Sequence, residues 1–236
     1  MSRVFARRIP GLALGCLLVG AGPVALVLAA PLPAAIAPDD TAPRPSGNDP
    51  DAERLARGAA VNQRACARCH AEDGNGGPQP VKAYPKLAGL SEDYLRKQIY
   101  DLKAHRRPNP ATDGRGERLQ EAEVDAISAY FAGQPMAPGD PDDLSPAARR
   151  DAEALFRQGA PSRGVPACVT CHGDAAQGLA ATQAPRLAGQ WRPYLATQLQ
   201  RFRDGSRATS PIMAAVAKPL EDAEIERMAA YLSGLR

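Results

Sequence analysis

Apolar residues recur at helical spacing along most of the chain after residue 50, and runs of β-branched residues that would mark strands are almost absent. From Asp51 the pattern predicts a helix carrying Leu55, Ala59 and Val61 toward Cys66. Ser91, followed by Glu92 and Asp93, has the composition of a helix start, with the acids at the positive end of the dipole. Leu95, Ile99 and Leu102 then share one face. A polar stretch from Pro108 to Arg118 interrupts the periodicity, and a last helix groups Val124, Ile127, Tyr130 and Phe131 before Gly133 ends it. After a proline-rich stretch (Pro135, Pro138, Pro141, Pro146) the whole order recurs. Pro185-Arg186-Leu187-Ala188-Gly189 repeats Pro85 to Gly89 at an offset of 100, as do Tyr194, Leu195, Gln198, Leu199 and Phe202 for Tyr94, Leu95, Gln98, Ile99 and Leu102. Leu220, Ile225, Met228, Tyr231 and Gly234 answer Leu119, Val124, Ile127, Tyr130 and Gly133 at 101. Separate features in one order at a common offset mean duplication. The expected architecture is all-α: a lobe over 51–134, a linker over 135–146 and a second lobe over 147–236.

Each lobe opens with the same pentapeptide pattern, Cys66-Ala67-Arg68-Cys69-His70 and Cys168-Val169-Thr170-Cys171-His172. CxxCH is the attachment sequence of a c-type haem. Cysteines at i and i+3 lie on one face of a helical turn, where both thiols can add to the two haem vinyl groups, and the next residue presents an imidazole to the iron. A thioredoxin-like redox pair would need alternating strands and helices around it. A zinc site would have to join two CxxC pairs that instead each carry a histidine inside a separate repeat. The expected cofactors are therefore two covalently bound haem c groups, held by Cys66, Cys69 and His70 and by Cys168, Cys171 and His172. Lobes of this size have thin cores, so the macrocycle is expected to supply much of each interior.

Charge and the N-terminus refine this picture. The formal net charge of +3 equals the contribution of Arg3, Arg7 and Arg8, so the rest of the chain is balanced and no basic patch argues for nucleic acid. Residues 1–37 read as an export signal: a basic start, an apolar stretch from Leu12 to Ala30, and Ala35-Ile36-Ala37 at the end. The same stretch approaches the roughly 20 residues that span a bilayer, so an uncleaved anchor is the alternative. Cys16 lies inside it, leaving four cysteines, all in the CxxCH motifs. Residues 38–50 read as a flexible lead-in.

With both CxxCH motifs, Pro-x-Leu-Ala-Gly at 85–89 and 185–189, and Ala-Tyr near the end of each lobe, residues 51–236 resemble the cytochrome c4 family, periplasmic dihaem proteins built of two tandem class I cytochrome c domains. The resemblance implies that Pro85 and Pro185 accept a hydrogen bond from the imidazoles of His70 and His172, orienting each ring. It implies a methionine as distal iron ligand, which in the second lobe is Met213, 18 residues before Tyr231; Met228 falls on the apolar face of the last helix and reads as core. In the first lobe Thr112 stands 18 residues before Tyr130, and no methionine lies between Cys66 and Met136. Three outcomes stay open there: His105 as ligand, Met136 folding back from the linker, or an open iron. His105 equally suits the cationic helix end with Arg106 and Arg107.

The resemblance also implies a respiratory electron carrier in the periplasm. It would take electrons from a quinol-oxidising complex or a dehydrogenase and pass them to a terminal oxidase, with membrane association if the anchor is kept. A fixed haem subunit of a dehydrogenase, or an enzyme acting on peroxide at an open N-terminal haem, are the alternatives. The glycine loops at 73–77 and 173–178 read as tight turns, Trp191 as packing, and Arg192, Arg201, Arg203 and Arg207 as solvated surface.

Overall fold

The computed structural model describes residues 50–76, 84–108 and 116–236. In the first lobe, α1 (Pro50–Val61) runs into a wide π turn, Asn62–Cys66, and then α2 (Ala67–His70), followed by α3 (Glu92–Lys103) and α4 (Glu121–Ala132). The second lobe has α5 (Pro146–Gln158), α6 (Val169–His172), α7 (Arg192–Arg203), α8 (Pro211–Ala217) and α9 (Asp222–Gly234). Among the described residues there is no strand; Ala160 and Val165, and Leu179 and Ala184, form isolated bridges. The helix starts follow local chemistry. Ser91, Ser145 and Ser210 each accept a hydrogen bond from a first-turn amide, and α4 and α9 open with matching capping boxes, Gln120 with Glu123 and Glu221 with Glu224.

Each lobe is built on a crossing of its first and last helices, α1 on α4 and α5 on α9, with α3 or α7 packed against the last helix. At the first crossing Gly58 is the contact, since a Cβ there would lie 2.3 Å from the carbonyl oxygen of Ala126. The buried positions of α1 are therefore Gly58 and Val61, and Leu55, expected inward from its spacing, is 45% exposed. The cores are Val61, Leu90, Leu95, Leu119, Val124, Ile127 and Phe131 in one lobe, and a larger set around Phe156, Ile225, Met228 and Leu232 in the other. Fully burying a phenylalanine such as Phe131 or Phe156 contributes about 1.5–3 kcal/mol.

Pro-x-Leu-Ala-Gly is a backbone device. The amides of Leu87 and Ala88 both donate to the carbonyl of Gly74, and those of Leu187 and Ala188 to the carbonyl of Ala176. The glycines then turn with φ of +67° and +77°, a conformation that Cβ-bearing residues avoid, and their amides donate to Phe131 and Leu232 at the ends of α4 and α9. Each motif thus ties the CxxCH loop of its lobe to the last helix.

The proline-rich segment between α4 and α5 is pinned on both sides. The amide of Ala137 donates to Asn75 Oδ1 at 2.7 Å, and that of Asp140 to Ser233 Oγ at 2.8 Å. All described residues belong to one compact unit. No helix among them is long and apolar enough to cross a membrane; the stretch read as a signal or anchor lies outside the described residues.

Candidate functional site

Both CxxCH motifs sit on short helices at the base of a cavity. The wide turn before α2 ends at Cys66, and helical backbone carries Cys69 and His70 round to the same face; such π turns are frequent at functional sites. His70 Nδ1 donates to the carbonyl of Pro85 at 2.9 Å, and His172 Nδ1 donates to that of Pro185 at the same distance. Burial lowers the pKa of both imidazoles. Each ring is thus a neutral base with Nδ1 committed to a proline carbonyl and Nε2 left to bind a metal, the arrangement an axial histidine requires. Burial also pushes the Cys66 and Cys168 thiols up to about 11, so they stand as uncharged SH groups. All four cysteines are free of disulfides.

The cavity measures about 1030 Å³ and is lined by the cysteines and histidines of both motifs, by Pro85 and Pro185, and by apolar side chains including Leu95, Ile99, Leu199 and Val216. That is the upper end of the roughly 300–1,000 Å³ usual for one small-molecule site. Where the lobes meet, its wall carries a cluster with approximate two-fold symmetry. Arg107 donates to Gln98 Oε1 (2.9 Å), Gln198 Oε1 (3.1 Å) and Tyr194 Oη (2.7 Å). Arg207 donates to Gln198 Oε1 (2.8 Å), Gln98 Oε1 (2.9 Å) and Tyr94 Oη (3.3 Å). Two guanidiniums therefore share neutral acceptors, and Arg207 is only 6% exposed with its Nε buried and unbonded. Buried cations call for anions. The cavity, the paired thiols, the neutral imidazoles and this cluster fit a pair of porphyrins whose carboxylates approach the arginines. Among the described residues no group of three or more His, Cys, Asp or Glu is placed to hold a bare metal ion.

A cytochrome c family model matches residues 55–135, and a model described as cytochrome C oxidase, cbb3-type, subunit III matches 147–232. A cytochrome c4 of Pseudomonas aeruginosa is 38% identical over 173 residues, 72% of this chain and 83% of that protein. The chain belongs to the cytochrome c4 family. The crystal structure of reduced recombinant cytochrome c4 from Pseudomonas stutzeri superposes with a TM-score of 0.71 at 34% identity, covering 77% of this chain and 98% of that one. A thiosulfate dehydrogenase electron acceptor of Stutzerimonas stutzeri is 34% identical over 180 residues, 75% of this chain and 82% of that protein. Like other cytochromes c4 the protein is an all-α tandem of two cytochrome c domains with two covalently bound haem c groups, and it is an electron carrier with redox proteins as partners. When bound, the haem supplies one-electron oxidation and reduction.

Set in the c4 frame, the structure sorts the distal candidates. Met213, on α8, lines the cavity beside Ile212 and Val216. Met228 is 4% exposed in the second core, as its place on the apolar face implies. His105 is not brought to the cavity. It reverses the chain after α3 with φ +53°, its side chain is 66% exposed, and Nε2 lies 3.2 Å from Glu117 Oε1. Met136 packs where the lobes meet, its sulfur near Gly189, and does not line the cavity. Thr112 lies outside the described residues.

Two features were not legible as functional in the sequence. Arg207, read as solvated surface, is buried, and Arg107 joins it in the cluster instead of standing in solvent at the end of α3. Lys86 is wholly buried: its ammonium donates to the carbonyls of Ala137 (2.7 Å), Pro138 (2.6 Å) and Gly189 (2.7 Å) and lies 3.9 Å from the centre of the Trp191 ring. The available signal was the repeat itself, since Arg107, Tyr94 and Gln98 all recur at an offset of 100.

Proposed function

We propose that this cytochrome shuttles electrons in the periplasm, taking them from a quinol-oxidising complex or a dehydrogenase and passing them to a terminal oxidase. Cys66 and Cys69, and Cys168 and Cys171, carry the thioether links; His70 and His172 are the proximal ligands, oriented by Pro85 and Pro185; Met213 is the distal ligand of the C-terminal haem. The observation that carries this reading is that one continuous cavity receives both CxxCH motifs, so two one-electron groups are held against each other. The lobes themselves move no protons and form no bonds in the exchange. They hold the imidazoles neutral, exclude water from the haem faces with leucine and isoleucine side chains, and offset carboxylate charge with Arg107 and Arg207. Partner contacts of a shuttle are small, under about 1,200 Å². The N-terminal segment supports export, with residues 1–37 removed or kept as a tether.

The first lobe lacks the methionine that the second supplies, and methionine ligation raises a haem potential. The N-terminal haem therefore sits below the C-terminal one, which sets a direction for internal electron flow. A potentiometric titration of the holoprotein is expected to resolve two midpoints, and Met213→Ala to lower the upper one selectively. Coincident midpoints would remove the directional part. Failure of the reduced protein to be oxidised by terminal-oxidase membranes, together with failure to accept electrons from quinol-oxidising membranes or a dehydrogenase, would remove the shuttle. The relative named as a thiosulfate dehydrogenase electron acceptor favours a second reading, a haem subunit dedicated to one dehydrogenase. Stable copurification with such an enzyme distinguishes the two.

A further inference from the structure

We infer that Gln190, a residue of the second lobe, is a positioning residue for the haem of the first: through the peptide group that joins Pro85 to Lys86 it strengthens the hydrogen bond on His70 and holds that haem's reduction potential down. This rests on the reading of His70 as an axial ligand oriented by Pro85, and of Met213 as a ligand of the other haem.

A single peptide group carries the contact. Its oxygen is the Pro85 carbonyl, which accepts from His70 Nδ1 at 2.9 Å. Its N–H belongs to Lys86 and donates to Gln190 Oε1, also at 2.9 Å. Hydrogen bonds in a chain polarise one another, so an amide that donates through its nitrogen accepts more strongly at its oxygen, above all out of water. Gln190 is 3% exposed and Lys86 is wholly buried. A stronger pull on the Nδ1 proton makes the imidazole a more basic ligand. More basic ligation favours ferric iron and lowers the potential.

Three bonds fix the Gln190 amide. Besides Lys86 N, Oε1 accepts from the amide of Trp191 at 3.0 Å, and Nε2 donates to the Lys86 carbonyl at 2.9 Å. A flipped amide would set its NH2 against two N–H donors, so the oxygen must face the Lys86 amide. The Lys86 ammonium closes the lock from the other side, donating to the carbonyl of Gly189 at 2.7 Å. Both residues line the haem cavity.

The relay runs in one direction. Gln190 stands 100 residues after Leu90, in the place that follows each Pro-x-Leu-Ala-Gly. Leu90 is 5% exposed in the first core, and its side chain has no polar atom with which to return the contact. The bonds from His70 and His172 to their prolines are equal in length, at 2.9 Å. What differs is the group behind the carbonyl. A glutamine that only glued the lobes together would act through water: loosening wets the haem and favours the state of higher iron charge, which lowers the potential. Loss of the relay raises it.

The test is a potentiometric titration of the dihaem holoprotein and its variants, with haem content checked by pyridine haemochrome and Met213→Ala marking the second haem's midpoint. Gln190→Met, which keeps the side chain's length, and Gln190→Leu, the first lobe's own residue, are expected to raise the first haem's midpoint and leave the second in place. Gln190→Glu keeps an oxygen for both amides and is expected not to raise it. Lys86→Met removes a buried cation but spares the backbone relay, and is expected to lower it. Nitrogen-15 NMR of the histidine rings reads the bond itself. Two ring protons should exchange slowly in the wild type, His105 being exposed, and one of them faster in Gln190→Met. A first-haem midpoint that falls or stays in Gln190→Met and Gln190→Leu overturns the inference, as does a rise in Gln190→Glu or Lys86→Met or one confined to the second haem. If Met213→Ala moves no midpoint, or the wild type shows fewer than two slow ring protons, the axial reading fails first and the inference with it. If both controls hold and the Gln190 variants change neither midpoint nor exchange, the axial reading stands and the inference alone falls.

Discussion

The two lobes share their proximal machinery and part company at its edges. In both, an imidazole donates to a proline carbonyl at 2.9 Å, and the next two residues but one hang from the carbonyl of the CxxCH loop. The routes into the motif differ: α1 continues through a wide turn, whereas α5 stops at Gly159 and a bridged loop, Ala160 to Val165, intervenes. So do the segments before the last helix, α8 with its methionine in one lobe and a methionine-free sequence in the other. Duplication has preserved the side where geometry around a neutral imidazole is exacting, and has let the sequence before the last helix diverge.

The contrast is sharpest at the residue after each motif proline. Lys86 is buried with three carbonyls on its ammonium, while among the described residues the matching Arg186 is half-buried and bonds the carbonyl of Ala188 alone. Lys86→Met leaves those carbonyls unpartnered at the lobe interface and should cost on the order of 3 kcal/mol, against under about 1 kcal/mol for Arg186→Met. Denaturant unfolding of the two holoproteins checks this, and equal losses would erase the asymmetry.

A smaller difference follows the CxxCH histidines. Ala71 is held at φ +64°, ψ +169°, a region that suits glycine, where the second lobe has Gly173 at φ +80°, ψ +160°. Ala71→Gly should stabilise the first lobe by about 1 kcal/mol, and Gly173→Ala should destabilise the second by about 1–3 kcal/mol, because its Cβ would also meet Gln177 at 2.6 Å. Thermal unfolding measures both; matching signs would refute the backbone account.

The smallest effect concerns the capping-box acids. Arg163 grips Glu224 with both Nη atoms, at 2.9 and 2.5 Å, and these hydrogen bonds hold its carboxyl below the usual range. In the first lobe Arg64 meets Glu123 through one nitrogen, and the backbone amide of Gln120 is what chiefly lowers that exposed carboxyl. For a carboxyl depressed on folding, the stabilisation is complete above its unfolded value, roughly 4.3, and is lost as pH falls through the lower folded value. The acid limb of the unfolding curve should therefore flatten in both Glu224→Gln and Glu123→Gln, and an unchanged limb in either variant would remove that acid from the account.

Much of the site was legible because it is local. The CxxCH spacing needs one helical turn, Pro-x-Leu-Ala-Gly is a five-residue backbone device, and Ser91 and the Met213 loop are set by neighbours in sequence. Misreadings arose where a residue's surroundings come from far along the chain. Leu55 has the right spacing for a core, but close approach at Gly58 turns the buried face of α1 elsewhere. His105 continues the apolar face of α3 on paper, but the helix ends at Lys103 and the backbone reverses, which carries it to the surface.

From sequence alone, then, came the duplication, the helical class, the two CxxCH motifs, the proline partners of the histidines and the absence of a methionine between Cys66 and Met136. Only the tertiary structure decided that the proline-rich connection is pinned to both lobes and that Lys86, Arg107 and Arg207 lie inside. Periodicity reports which way a side chain faces relative to its own helix. Whether a cation there meets water or the opposite lobe depends on residues some hundred positions away, and no local pattern encodes that pairing.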